Sequence, residues 1–140
     1  MVKLGKEFIW QMAHRLPYHD AGCQNIHGHS YKMILTLEGE LNDKGMLLDF
    51  YDIATIVEPF LMGKLDHAMV CNSSDKKMID FLKENGMKYF VFDEYTTCEN
   101  LCGLFMRELK PKFAEHKNIK VIGIRIFETA DAYAEVVESI

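Results

Sequence analysis

Two stretches of regular alternation, each with histidine at its inner end, constrain this chain more than any other feature. From Val2 to His14, the residues Leu4, Phe8, Trp10, Met12 and His14 fall on one side, with Lys6 the exception, while Glu7 and Gln11 fall on the other. From about His27 to Leu37, the residues His27, His29, Tyr31, Met33, Leu35 and Leu37 share one side, and Ser30, Lys32, Thr36 and Glu38 lie opposite. A period of two is the signature of a strand with one face buried. The loop between them, Arg15 to Ile26, holds Pro17 and Gly22. If the two strands pair antiparallel, the end of the first meets the start of the second. His14 then stands beside His27 and His29, all on the apolar side.

The remaining elements follow from caps and breakers. Asp49 is placed to cap a helix from about Phe50, with Asp52 in its first turn, Pro59 to kink or stop it and Gly63 at its end. Ser74 is placed to cap a second helix, about Asp75 to Asn85, closed by Gly86. Lys88 to Asp93 reads as a strand. Thr96 and Glu99 have the spacing of a capping box. They open a third helix with Leu101, Leu104, Phe105 and Leu109 at helical spacing, and Pro111 marks its end. Lys120 to Glu128 alternates again, with Ile122, Ile124, Ile126 and then Glu128 on one face, and Tyr133 to Val137 forms a short last strand. This order predicts one α+β domain over residues 1–140, an antiparallel sheet with helices packed on one face.

Bulk properties narrow the function classes. A net charge of −5 argues against general nucleic-acid binding, which rests on surplus Lys and Arg at phosphates. No apolar run approaches the roughly 18 residues that span a bilayer, and the N-terminus lacks the core of a signal peptide. Cys23, Cys71, Cys98 and Cys102 have no disulfide-scaffold spacing. The expectation is a cytoplasmic protein with reduced thiols and no membrane or nucleic-acid partner.

The grouped histidines carry the chemistry. Three imidazoles suit a metal ion, zinc first, with nickel, iron and copper also accepting such ligands. Three protein ligands leave a fourth position open, as catalytic zinc sites do. Cys23, four residues before His27, has three readings: a small buried hydrophobe, a fourth ligand of a structural zinc site, or a thiolate base whose pKa a nearby cation lowers. Asp66 next to His67 is either a solvated loop pair or a carboxylate that orients an imidazole. Glu128 continues an apolar face, so it lies either just past the sheet edge in water or buried with a partner. A carboxylate there can accept two parallel N–H bonds from a guanidine-like ring edge. Glu99 belongs either to the capping box or to a binding site.

Taken together, these residues resemble the family of 6-pyruvoyl tetrahydropterin synthase and 6-carboxy-tetrahydropterin synthase (QueD). The resemblance spans nearly the whole chain. It rests on A-H at Ala13-His14, C-x-x-x-H-G-H at Cys23 to His29, L-D-F at Leu48 to Phe50, D-H at Asp66-His67, T-x-E-N at Thr97 to Asn100 and E-T at Glu128-Thr129. It implies a tunnelling fold (T-fold) assembled as a homohexamer of two trimers. It further implies Zn2+ on His14, His27 and His29, an acid/base set of Cys23, Asp66 and His67, and a pterin anchored by Glu128 with Thr97 and Glu99. The implied substrate is the small molecule 7,8-dihydroneopterin triphosphate. The three-residue gap between Cys23 and H-G-H resembles the carboxy-forming members, which make 6-carboxy-5,6,7,8-tetrahydropterin for queuosine-type 7-deazapurines. Alternatives are pyruvoyl formation from the same substrate and a non-catalytic pterin-binding zinc protein. Thr96 departs from a common proline, Cys71-Asn72 from a common Leu-Asn, and Ser73 to Val91 is longer than in compact members. Arg15, Lys32 and Lys64 lie near these elements as candidate triphosphate contacts.

Overall fold

The computed structural model describes residues 1–140. The two alternating stretches form β1 (Val2–His14) and β2 (His27–Gly39), paired antiparallel along their full length. They are followed by α1 (Phe50–Phe60), β3 (Ala68–Asn72), α2 (Lys76–Glu84), β4 (Tyr89–Phe92), α3 (Cys98–Phe113), β5 (Ile119–Thr129) and β6 (Ala132–Ser139). The strands make one six-stranded sheet in the order β4-β3-β1-β2-β5-β6. β1, β2, β5 and β6 pair antiparallel, whereas β3 joins β1 in parallel and β4 joins β3 in parallel. The sheet is therefore mixed, where sequence alone pointed to antiparallel pairing throughout.

β3 is the strand that alternation could not reveal. Each of its residues, Ala68 to Asn72, is buried. A strand covered on both faces reads as a continuous apolar run and loses its period of two. α2 supplies the second cover. Ile79 and Leu82 pack on Met69 and Cys71, with Ala13 of β1 alongside. Ala13 points away from Trp10 and Met12, so α2 lies on the sheet face opposite α1 and α3. The expectation of helices on one face holds for α1 and α3 and is corrected for α2.

The main core lies between that first face and α1 and α3. Trp10, Tyr31, Leu35 and Ile124 from the sheet meet Ile53 and Val57 of α1 and Leu101 and Phe105 of α3. Burial of such side chains contributes roughly 1.5–3 kcal/mol each before entropy is counted.

The helix ends differ in detail from the spacing. Asp49 caps α1, its Oδ1 accepting from Tyr51 N at 2.7 Å. Pro59 lies inside α1, and the chain runs on through a wider π turn, Leu61–Leu65, that contains Gly63. Asp75, not Ser74, is the N-cap residue of α2. Thr97, not Thr96, caps α3 through Asn100 N at 3.2 Å. Thr96 is buried against His14, and with Thr97 as the cap the third helical position falls on Asn100 instead of Glu99, so the expected capping box does not form. Pro111 lies within the last turn of α3, which runs two residues further.

Candidate metal centre and its surroundings

The register of β1 and β2 sets His14 opposite His27 and Met12 opposite His29. Between the two β2 histidines, a Cβ on Gly28 would stand 3.1 Å from the Met12 carbonyl oxygen, so glycine allows this close approach. His14 is buried, and His27 and His29 are half-buried. One ring nitrogen from each lies within 4.8 Å of the others.

The tautomers are set by backbone carbonyls. His14 Nδ1 lies 2.8 Å from Thr96 O and 3.2 Å from Thr96 Oγ1, and His27 Nδ1 lies 2.8 Å from Asn25 O. A carbonyl only accepts, so each Nδ1 carries a proton and each neutral ring presents its Nε2 lone pair. These two Nε2 atoms are 3.1 Å apart. The Nε2 of His29 is buried without a partner. Burial lowers the pKa of His14 and of His29, which favours the neutral, ligating form. Zn–N bonds of 2.0–2.1 Å imply tetrahedral N–N separations of roughly 3.3 Å. The donor set therefore fits a zinc-sized cation.

Glu128 completes this corner. It is the residue left over where β5 pairs Phe127 with Tyr133 and then Thr129 with Ala132. Such a bulge re-aims a side chain at the end of a strand. Glu128 Oε1 lies 3.5 Å from His14 Nε2 and 3.7 Å from His29 Nε2. The carboxylate is 31% exposed and borders an open hollow of about 490 Å³ with His29, Lys32, Phe127 and Thr129. Of its two sequence readings, the structure supports an acid with partners that still reaches solvent.

The Asp66–His67 pair forms a second cluster. Asp66 Oδ2 meets His67 Nδ1 at 2.8 Å. Asp66 Oδ1 accepts from Gln11 N at 3.0 Å, and His67 N donates to Gln11 O at 2.6 Å. Lys88 Nζ donates to Asp66 O at 2.7 Å and to Met62 O at 3.2 Å. Desolvation raises the Asp66 pKa, but the Gln11 amide, His67 and the Lys88 charge outweigh it, and the net shift is downward. His67 is held at φ 61°, a left-handed conformation that non-glycine residues seldom adopt and that clusters at functional sites. Its side chain is 74% exposed and lines a cavity of about 680 Å³ beside α2 with Met69, Met78, Phe81 and Met87.

Other candidates make no hydrogen bond to either cluster. Cys23 lies half-buried on a single 3-10 turn, Gly22–Gln24, outside the histidine group and without a hydrogen bond from its sulfur. This geometry does not make Cys23 a fourth ligand. Thr97 Oγ1 is engaged as the α3 cap, and Glu99 is exposed in the first helical turn. Arg15 is committed to Asp75, with Nε to Oδ2 at 2.8 Å and Nη2 to Oδ1 at 2.9 Å. Lys32 stands 4.6 Å over the Phe127 ring. Alternation did not single out Thr96, Gln11, Lys88 or Asp75, because each acts through contacts distant in sequence.

Comparison with known proteins agrees with this architecture. The family model described as 6-pyruvoyl tetrahydropterin synthase matches residues 3–139. The chain is 32% identical over 142 residues to a protein of Haemophilus influenzae named 6-carboxy-5,6,7,8-tetrahydropterin synthase, covering 96% of this chain and 98% of that one. A Rickettsia conorii protein of the same name is 27% identical over 138 residues, covering 97% of this chain and all of that one. Among solved structures, 6-pyruvoyl tetrahydropterin synthase of Caenorhabditis elegans superposes with a TM-score of 0.71 at 22% identity, covering 99% and 96% of the two chains. The Plasmodium falciparum enzyme superposes with a TM-score of 0.75 at 16% identity, covering 99% and 98%. The fold is that of the tunnelling-fold pterin enzymes. The chain belongs to the 6-pyruvoyl tetrahydropterin synthase family.

Proposed function

We propose that this chain is a zinc-dependent lyase, a 6-carboxy-5,6,7,8-tetrahydropterin synthase. It converts 7,8-dihydroneopterin triphosphate and one water to the carboxy-tetrahydropterin, acetaldehyde and triphosphate, in the route to queuosine-type 7-deazapurines. The observation that carries this reading is the meeting of His14, His27 and His29 through two facing Nε2 atoms and a third without a partner. Relatives bearing the carboxy-forming name over nearly their full length support the choice of product.

The residues divide the work. His14, His27 and His29 hold Zn2+, which supplies Lewis acidity to the side-chain oxygens of the substrate. Glu128 accepts N–H groups of the pterin ring and fixes its orientation, with Thr97 and Glu99 as further ring contacts. Cys23 takes or returns a proton on one face of the substrate side chain. His67 does so on the other face, its Nδ1 held by Asp66 so that Nε2 is the working nitrogen.

Two features support a homo-oligomer, which we take to be a hexamer of two trimers. The outer strands β4 and β6 leave their edges unpaired, a liability that subunit pairing removes. Asp66–His67 also makes no hydrogen bond to the histidine group within one chain, and a neighbouring copy would bring such a pair to it. No helix is long and apolar enough to cross a membrane. All four cysteines are free, which supports a cytoplasmic location.

The test is mass spectrometry of the product from zinc-loaded protein and dihydroneopterin triphosphate, with trapping of released aldehyde. Carboxy-tetrahydropterin with stoichiometric acetaldehyde is expected. A pyruvoyl product without acetaldehyde would move the chain to the other branch of its family.

A further inference from the structure

Two buried polar side-chain atoms have no hydrogen-bond partner in the chain, His29 Nε2 and the Tyr31 hydroxyl. A bound cation accounts for the first and leaves the second. Tyr31 is 0% exposed. It follows His29 on the same face of β2 and pairs with Trp10, whose indole stacks on its ring at 5.3 Å and 17°. The ring meets His29 edge-on at 5.4 Å and His14 at 6.3 Å. Tyr31 is thus the floor of the metal site, and this packing prevents the hydroxyl from turning out to water.

A buried hydroxyl without a partner is costly, so its presence calls for an explanation. Two groups face it. The phenol is a neutral donor at pH 7, and the groups that bear on it are Glu128 and Cys98. The Cys98 sulfur donates to Ile126 O at 3.0 Å and is a weak acceptor. The Glu128 carboxylate is the strong acceptor: it stands 3.5 Å from His14 Nε2 and 3.7 Å from His29 Nε2, the two rings that meet Tyr31, while the hydroxyl itself makes no hydrogen bond.

We propose that Tyr31 is a positioning residue for pterin recognition: its O–H donates to the Glu128 carboxylate and aims it outward at the ring. This rests on the reading of Glu128 as the ring anchor. A carboxylate offers about four acceptor sites, so one bond to Tyr31 leaves enough for two parallel N–H groups. Without the hydroxyl, the carboxylate is free to turn toward the cation held by His14 and His29.

The experiment uses full-length zinc-loaded wild type, Tyr31→Phe, Glu128→Ala and the double variant. Zinc is measured by elemental analysis, affinity by fluorescence titration with 7,8-dihydroneopterin, and turnover with the triphosphate substrate. Tyr31→Phe removes one oxygen and keeps the packing. It is expected to fold, retain zinc and bind the pterin about tenfold more weakly, with KM raised more than kcat is lowered. The double variant is expected to bind no more weakly than Glu128→Ala alone, because the two residues act as a unit. Wild-type affinity in Tyr31→Phe alongside weakened Glu128→Ala would overturn the proposal alone. So would loss of zinc from Tyr31→Phe, or full additivity in the double variant. Wild-type affinity in Glu128→Ala would remove the anchor itself, and the proposal with it.

Discussion

His14 and His27 are direct register partners across β1 and β2, and their Nε2 atoms stand 3.1 Å apart. With Nδ1 of each ring directed at a carbonyl, the facing nitrogens are lone-pair donors that only a cation or a shared proton reconciles. His27→Ala removes one of them. It is expected to abolish stoichiometric zinc while leaving the fold intact, since His27 is half-buried and outside the main core. Elemental analysis after dialysis decides the matter, and a full complement of zinc in the variant would refute the ligand set.

Cys23 stands outside the ligand group, on a short turn tied to the loop just after β1 by Leu16 N donating to Cys23 O at 2.7 Å. That bond uses the backbone and survives substitution of the side chain. Cys23→Ala is therefore expected to keep zinc and thermal stability but to lose most turnover, at least a hundredfold for a missing acid/base group. If zinc and activity fall together, Cys23 is a ligand and not a proton carrier.

What could be read from the chain beforehand follows from where each signal is written. The β1–β2 register was legible because both strands bury one face, so alternation fixes which residues meet, and His14, His27 and His29 converge as that register requires. β3 was not legible because α2 covers its second face. Nor was the parallel pairing of β1 with β3, which depends on a crossover through α1 and not on any local pattern. At the site, Glu128 was visible as an acid ending an isoleucine face, but the bulge that turns it to the histidines was not. The choice of Thr97 over Thr96 as cap was decided by tertiary contact: Thr96 is drawn inward to His14 from 82 residues away. Thr97→Ala should accordingly cost about 1 kcal/mol of stability by chemical denaturation, the usual loss of a threonine cap.

Glu128 offers a further quantitative check. If its carboxylate holds the ring through two N–H bonds, Glu128→Ala should raise the pterin dissociation constant at least tenfold, about 1.4 kcal/mol. Zinc content should stay unchanged, because the three histidines suffice for the metal. A variant that binds pterin normally would put the anchor elsewhere.

The Arg15–Asp75 pair ties α2 to the end of β1 next to His14, and its pH dependence has a definite sign. Asp75 has a side chain only 6% exposed, and the Arg15 guanidinium beside it holds its carboxyl below the usual value of 3.8. A carboxyl with a depressed folded-state pKa contributes stability that is fully present above its unfolded value. That contribution declines as pH falls from about 3.8 and is gone once pH drops below the folded-state value. Arg15→Met keeps much of the aliphatic packing and leaves the carboxylate buried and unpaired. It is expected to destabilise the protein at pH 7 by about 3 kcal/mol, the low end for an orphaned buried charge, because Arg15 is itself 26% exposed. The gap between wild type and variant should close on acidification into the range below 3.8. Urea denaturation of both proteins from pH 7 to pH 3 tests this, and a gap that stays constant over that range would show that the pair contributes packing alone.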